Sequence, residues 1–263
     1  MICSFSDPTL LKKILGALSK DMGAMNLNFD ENGMSIQAVN ASNTNMRDFI
    51  LHKSFFMSYE CPVAKTIGVH IGVLNTFVKT AGSKDSISWK INDNCTMDVI
   101  IQDASENNTC TTFTLKLLDI TVDQLAMPQQ INWTCHCQIG SDLLKQWISK
   151  SKLLDGNVTI QVVRGKCINV KVLSDSGDVK ITQPIPSFKA NIIEMSQDVE
   201  KIDKTISYRE VECIDQLLQC APNIDIQYHN DYPMCCTTYL DPEMKSYARM
   251  WIAPMMDDED MNN

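Results

Sequence analysis

The chain has 263 residues, 44% of them hydrophobic, and a formal net charge of -9. That length suits one large domain or two of moderate size with a sizeable core, and the acidic balance excludes a protein that coats nucleic acid over its whole surface. The opening MICSFSDPTLLKK has neither a cationic start nor a long apolar run, so no signal peptide and no membrane-spanning segment are expected.

In chain order, Pro8 to Lys20 is the clearest predicted helix. At about 100° per residue, Leu10, Leu11, Ile14, Leu15 and Leu18 form one apolar face, and Lys12, Lys13, Gly16, Ser19 and Lys20 gather on the other. Strands are predicted over Met25 to Phe29 and Met34 to Val39, with Gly33 in the turn between them, then over Met46 to His52 and Phe55 to Tyr59. A second helix is predicted from His70 to Ala81. Its inward residues are Ile71, Val73, Leu74, Phe77, Val78 and Ala81, its outward ones Asn75, Thr76, Lys79 and Thr80, and Gly82 is its stop. Strands Ser86 to Asn92, Cys95 to Gln102 and Cys110 to Leu118 complete the first half.

LKLLDITVDQLAMPQQ, Leu115 to Gln130, then reads as a strand running into an extended connector, since Pro128 forbids a helix through it. After it the order repeats. A strand from Asn132 to Ile139 leads to a third helix, Ser141 to Lys152, whose SDLLKQWISKSK can be laid beside DPTLLKKILGALSK of the first. Strands follow over Asn157 to Val163, Ile168 to Leu173, Val179 to Thr182 and Asn191 to Met195. A fourth helix, Tyr208 to Cys220, precedes strands Asp225 to His229 and Met234 to Leu240. The pattern predicts an α+β fold of two similar halves, each with two helices packed on antiparallel sheet.

Catalytic signals are weak. The four histidines, His52, His70, His136 and His229, have no metal-ligand spacing, and AGSKDS at Ala81 to Ser86 lacks the order of a phosphate-binding loop. The 11 cysteines contain no CxxC pair and read as reduced, partly buried thiols. Cys135 and His136 are strand neighbours, so they point to opposite faces and cannot act as a pair. The acidic run Asp257 to Asp260 reads as a solvated tail. No enzyme activity, cofactor or metal is expected.

The pointed chemistry is basic. Lys12, Lys13, Lys20, Lys79, Lys145, Lys150 and Lys152 lie on the polar faces of three equivalent helices, with Asp142 the only acid among those helices. Aligned, they would make a cationic surface on an acidic protein, suited to a polyanion.

Five segments carry a resemblance: LLKKILGAL at Leu10 to Leu18, ENGMSIQAVNASN at Glu31 to Asn43, FVKTAGSKDSISWKINDN at Phe77 to Asn94, LKLLDITVDQLAMPQQ, and WIAPMMDDED at Trp251 to Asp260. In their order and spacing, over nearly the whole chain, the protein resembles the sliding clamps of the proliferating cell nuclear antigen (PCNA) family, as a divergent and plausibly viral member. The resemblance implies a DNA-clamp fold with an N-terminal domain over 1–118, an interdomain connector over 119–131, a C-terminal domain over 132–256 and an acidic tail over 257–263. It implies a ring of three copies around duplex DNA, contacting backbone without reading sequence. The clamp would serve DNA polymerase as a processivity factor and engage a clamp loader and other replication and repair proteins. A nucleus or a viral replication compartment is the implied location.

By the same resemblance, subunits join through edge strands that include Cys110, Phe113, Leu115 and Leu117 on one side and Val179 and Ile181 on the other. Partner peptides with a glutamine and an aromatic pair would dock among Val39, Asn43, Met46, Leu125, Met127, Pro233, Trp251, Ala253, Pro254 and Met256. Asn43 and Trp251 stand where the family usually has histidine and tyrosine. Arg164 replaces the lysine that eukaryotic clamps modify, with Lys166 close by. The fourth helix carries Arg209 but also Glu210, Glu212, Asp215 and Gln219, which leaves a second reading open: a clamp-fold scaffold that does not itself encircle DNA.

Overall fold

The computed structural model describes residues 1–5, 7–92, 95–105, 109–121, 131–154 and 156–255. Along the chain run β1 (Ile2–Phe5), α1 (Pro8–Ser19), β2 (Ala24–Asp30), β3 (Gly33–Val39), β4 (Asn45–His52), β5 (Phe56–Glu60), β6 (Lys65–His70), α2 (Ile71–Lys79), β7 (Ser86–Ile91), β8 (Thr96–Gln102) and β9 (Cys110–Lys116). There follow β10 (Cys135–Gly140), α3 (Ser141–Ser151), β11 (Asn157–Val163), β12 (Cys167–Ser174), β13 (Gly177–Pro184), β14 (Ala190–Met195), β15 (Lys201–Ile206), α4 (Tyr208–Leu217), β16 (Asn223–Tyr228), β17 (Met234–Tyr239) and β18 (Tyr247–Ile252). Among the described residues, the order of one strand, a helix, five strands, a helix and three strands therefore occurs twice.

The chain divides into two units, Met1–Ala126 with Tyr239–Ala248, and Met127–Thr238 with Arg249–Asn263. In the first, β5-β1-β7-β8-β9 form one antiparallel sheet and β4-β3-β2-β6 run side by side in another. In the second, β14-β10-β16-β17 and β13-β12-β11-β15 repeat that arrangement, with β10 between β14 and β16 as β1 lies between β5 and β7. The repeat anticipated from the helix sequences is thus a repeat of strand connectivity as well.

The helices form where expected because their apolar stripes have somewhere to go. Leu11, Ile14, Leu15 and Leu18 of α1 are buried, as are Ile71, Leu74 and Val78 of α2. Each fully buried side chain of this size contributes about 1.5–3 kcal/mol before entropy is counted. Asp7 caps α1 by accepting from the backbone N–H of Thr9 (2.8 Å) and Leu10 (3.0 Å). Gly33 takes the turn between β2 and β3 with φ of 144°, where a Cβ would lie 2.1 Å from the Leu51 carbonyl oxygen.

Three readings change. β1, β6, β15 and β18 were not anticipated; β1 is short, β6 is interrupted by Gly68, and β15 carries three charges in KIDKTI. Gly82 does not end α2, which stops at Lys79; its N–H donates instead to the Asp85 carboxylate at 2.6 Å. Asn75, expected outward, is buried and donates to Ser19 Oγ at 2.8 Å, joining α2 to α1, while Val73 is exposed. Asn75→Ala removes that link and is expected to lower stability by about 1–2 kcal/mol in denaturant titration, with no loss for the exposed neighbour in Thr76→Ala.

Candidate nucleic-acid interface and docking surfaces

The seven lysines picked out on the helices fall into distinct environments. Lys13, Lys79, Lys145 and Lys150 are exposed and form no ion pair among the described residues. Lys12 differs: its Nζ donates to the carbonyl of Ala81, just beyond the C-terminus of α2, where the helix dipole favours a cation. Lys152 is half-buried and lies 3.4 Å from Asp215 of α4. Lys20, at the C-terminal cap of α1, is half-buried.

This arrangement reassigns charge on α4 also. Asp215 neutralises Lys152, and Glu210 is buried at the first turn, where Ser207 caps the helix. Arg209 and Gln219 are exposed. The outward charge of α4 is therefore less acidic than its sequence suggests.

β9 and β13 are both terminal strands of their sheets. In β9 the alternation splits the expected edge residues. Cys110 is exposed, Phe113 lies flat on Phe77 of α2 with ring centroids 4.7 Å apart at 11°, and Leu115 is buried in the core. Leu117 donates its N–H to the Cys95 carbonyl at 2.8 Å. In β13, Val179 and Ile181 share one half-buried face. Among the described residues each strand keeps one side of its backbone without a strand partner, the condition under which a sheet edge accepts another strand.

In the first unit, the loop from Asn40 to Asn45 is held by one side chain. Asn40 Oδ1 accepts from the N–H of Thr44 (2.9 Å) and Asn45 (3.1 Å), and Asn43 takes φ of 56°, a region asparagine tolerates. Val39 is exposed beside this loop, whereas Met46 is almost fully buried. The start of the connector is seated on β6: the Leu118 N–H donates to the Gly68 carbonyl at 2.8 Å, and Asn26 Nδ2 donates to the Ile120 carbonyl at 3.1 Å. Only glycine fits at 68, since a Cβ there would lie 2.7 Å from Ile120 Cγ1 and 2.4 Å from the Leu118 oxygen. Leu125, Met127 and Met256 lie outside the described residues.

In the second unit, Trp251 is buried against Trp133, with ring centroids 5.7 Å apart, and the Arg249 guanidinium sits 5.9 Å from the Trp251 ring. Pro233, Ala253 and Pro254 are half-buried. Trp133 escaped the sequence reading; its place immediately after the connector, in a chain with only four tryptophans, was the available signal. Arg164 is fixed to the turn ahead of β15, its guanidinium donating to the carbonyls of Ser196 and Val199, the latter at 2.7 Å. Lys166 is exposed.

The buried thiols are packing groups. Burial pushes Cys3 up to about 12 and raises Cys137 and Cys236 well above the ordinary thiol value, so none of the three is a thiolate near neutrality. Cys135 is buried while His136 on the opposite face meets Asp225 at 3.1 Å. Among the described residues there is no His, Cys, Asp and Glu grouping able to hold a metal, and no helix long and apolar enough to cross a membrane.

A doubled unit of two helices on antiparallel sheets, with lysines on the outer helix faces and open sheet edges, has the α+β fold of the DNA-clamp class. Residues 1–125 match the family model for proliferating cell nuclear antigen, N-terminal domain. That match, over 125 of the 263 residues, supports a sliding clamp of the PCNA family.

The two kinds of lysine separate in experiment. Lys12→Ala is expected to cost about 1 kcal/mol of stability, because the carbonyl at the end of α2 loses its donor. Lys13→Ala and Lys79→Ala leave the denaturation midpoint within error of the parent.

Proposed function

We propose that this chain acts as a sliding clamp: three copies close into a ring around duplex DNA, tether a DNA polymerase and serve as a docking platform for other replication and repair proteins. The observation that carries the reading is the exposed set Lys13, Lys79, Lys145 and Lys150 on α1, α2 and α3, equivalent helices of a PCNA-family chain of net charge -9. Such cations hold phosphates without reading bases, and contacts of this kind are weak enough to slide. The acidic remainder keeps other surfaces off the same duplex.

Ring closure would use the free edges of β9 and β13, which pair by backbone hydrogen bonds once Cys110 and Thr112 on one copy approach Val179 and Ile181 on the next. Phe113, stacked on Phe77, would stiffen the β9 edge rather than reach across it. Partner peptides would engage the part of the first unit that carries Val39, Asn43 and Met46. Of these, Met46 is buried enough to act as a floor and Val39 is exposed enough for direct contact. The protein needs no cofactor for this work and performs no chemistry of its own; it would act in a nucleus or a viral replication compartment. A scaffold that does not encircle DNA is favoured by one feature, the scarcity of outward cations on α4, where Arg209 is the only basic residue.

Stimulation of a DNA polymerase on primed circular DNA, with a clamp loader present, tests the assignment. The parent is expected to lengthen products. The combined Lys13, Lys79, Lys145 and Lys150 to Ala variant is expected to lose most of that effect as salt rises, with a shallower salt dependence of DNA binding, since each phosphate contact contributes about 0.9 to the slope. Equal stimulation by parent and variant at every salt concentration contradicts the proposal.

A further inference from the structure

The tip of the turn between β13 and β14 has a composition its fold does not require. Ser187 and Ala190 close the turn, with Ser187 N–H donating to the Ala190 carbonyl at 2.9 Å and Ala190 N–H returning to Ser187 at 3.4 Å. Phe188 and Lys189 are left as its two tip residues, positions usually given to small or polar groups such as Gly, Asn or Asp. Phe188 is 102% exposed, so its ring buries nothing.

The turn is nevertheless held in place. The Gly140 N–H donates to the Lys189 carbonyl at 2.7 Å, and Gly140 is the N-terminal cap of α3. The aromatic ring is thus presented from a fixed position beside that helix. Lys189 lines an open depression together with Lys145, Gln146, Ser149 and Lys150, and among the described residues the one acid lining it is Asp142. An exposed phenyl ring at low ordering cost, next in the chain to Lys189, which shares its depression with Lys145 and Lys150, fits a ligand with both a flat aromatic face and regular negative charge.

We infer that the Phe188–Lys189 turn and the Lys145 and Lys150 face of α3 bind an unpaired nucleic-acid strand, with a base stacked on Phe188 and phosphates on the lysines. The strand must be unpaired because a duplex keeps its base faces stacked on one another. Every base has such a face, so the site would have little sequence preference. A lipid surface fits less well: α3 turns Lys, Gln and Ser outward, not the apolar face a surface-lying helix requires. The inference extends the DNA reading of Lys145 and Lys150 given above and rests on it for those two residues, whereas Phe188 lies outside that reading.

The test uses the full chain at low salt and oligo(dT) carrying 5-bromodeoxyuridine. Irradiation and mass spectrometry should place the adduct on Phe188. In parallel, Phe188→Ala should weaken oligo(dT) binding at least about fivefold more than it weakens binding of a blunt duplex, and Phe188→Trp should restore it. Lys145→Ala with Lys150→Ala should weaken both ligands. Loss of oligo(dT) binding in Phe188→Ala with no change for duplex in the double lysine variant would keep the aromatic contact and remove the clamp reading of α3. An adduct elsewhere, unchanged oligo(dT) affinity in Phe188→Ala, or Phe188-dependent binding to phosphatidylserine vesicles in place of oligo(dT) would overturn the inference.

Discussion

A helix laid on a sheet can bury only one stripe of its surface, and the rest of this molecule depends on what the other stripe carries. In α1 the buried stripe is Leu11, Ile14, Leu15 and Leu18, and in α3 it includes Leu144, Trp147 and Ile148. The helical period then leaves Lys13, Lys145 and Lys150 facing solvent whatever their function. Because the same strand, helix and sheet order occurs in both units, one burial rule places cations on equivalent helices twice.

That rule explains how far the sequence could be read. The four helices were legible because their apolar residues recur over at least two turns, and the hairpin of β2 and β3 because Gly33 marks the turn. β1 was not legible, since ICSF is too short to show alternation, and its pairing with β5 and β7 joins residues far apart in the chain. Asn75 could not be placed from periodicity alone: a polar residue at a boundary position goes inward only if a partner waits there, and Ser19 lies 56 positions away. The candidate site was legible as residue types but not as contacts. Nothing in the spacing of Lys12 reveals that it ends on the Ala81 carbonyl, or that Lys152 finds Asp215.

Those contacts sharpen the electrostatics. Of the seven lysines counted from sequence, Lys12 and Lys152 are held by contacts with Ala81 and Asp215, and one acid of α4 is used up in holding Lys152. The available cations are fewer and more sharply placed than a charge count implies. The connector tells a similar story. Where β9 runs into it, Leu115, Leu118 and Ile120 take three different roles within six positions: core, β-bridge to Gly68, and a side chain covering that glycine. A stretch that reads as one apolar run is a strand end followed by a seat, from which the rest of the connector departs.

Linkage to DNA by topology, rather than by affinity, is the central claim, and it is tested by loading the protein with a clamp loader onto nicked circular DNA, then separating DNA-bound from free protein at high salt. The account predicts that the protein stays with the circle and is released when one restriction cut linearises it. Retention that is the same on circular and linear DNA, or no retention on either, would contradict it.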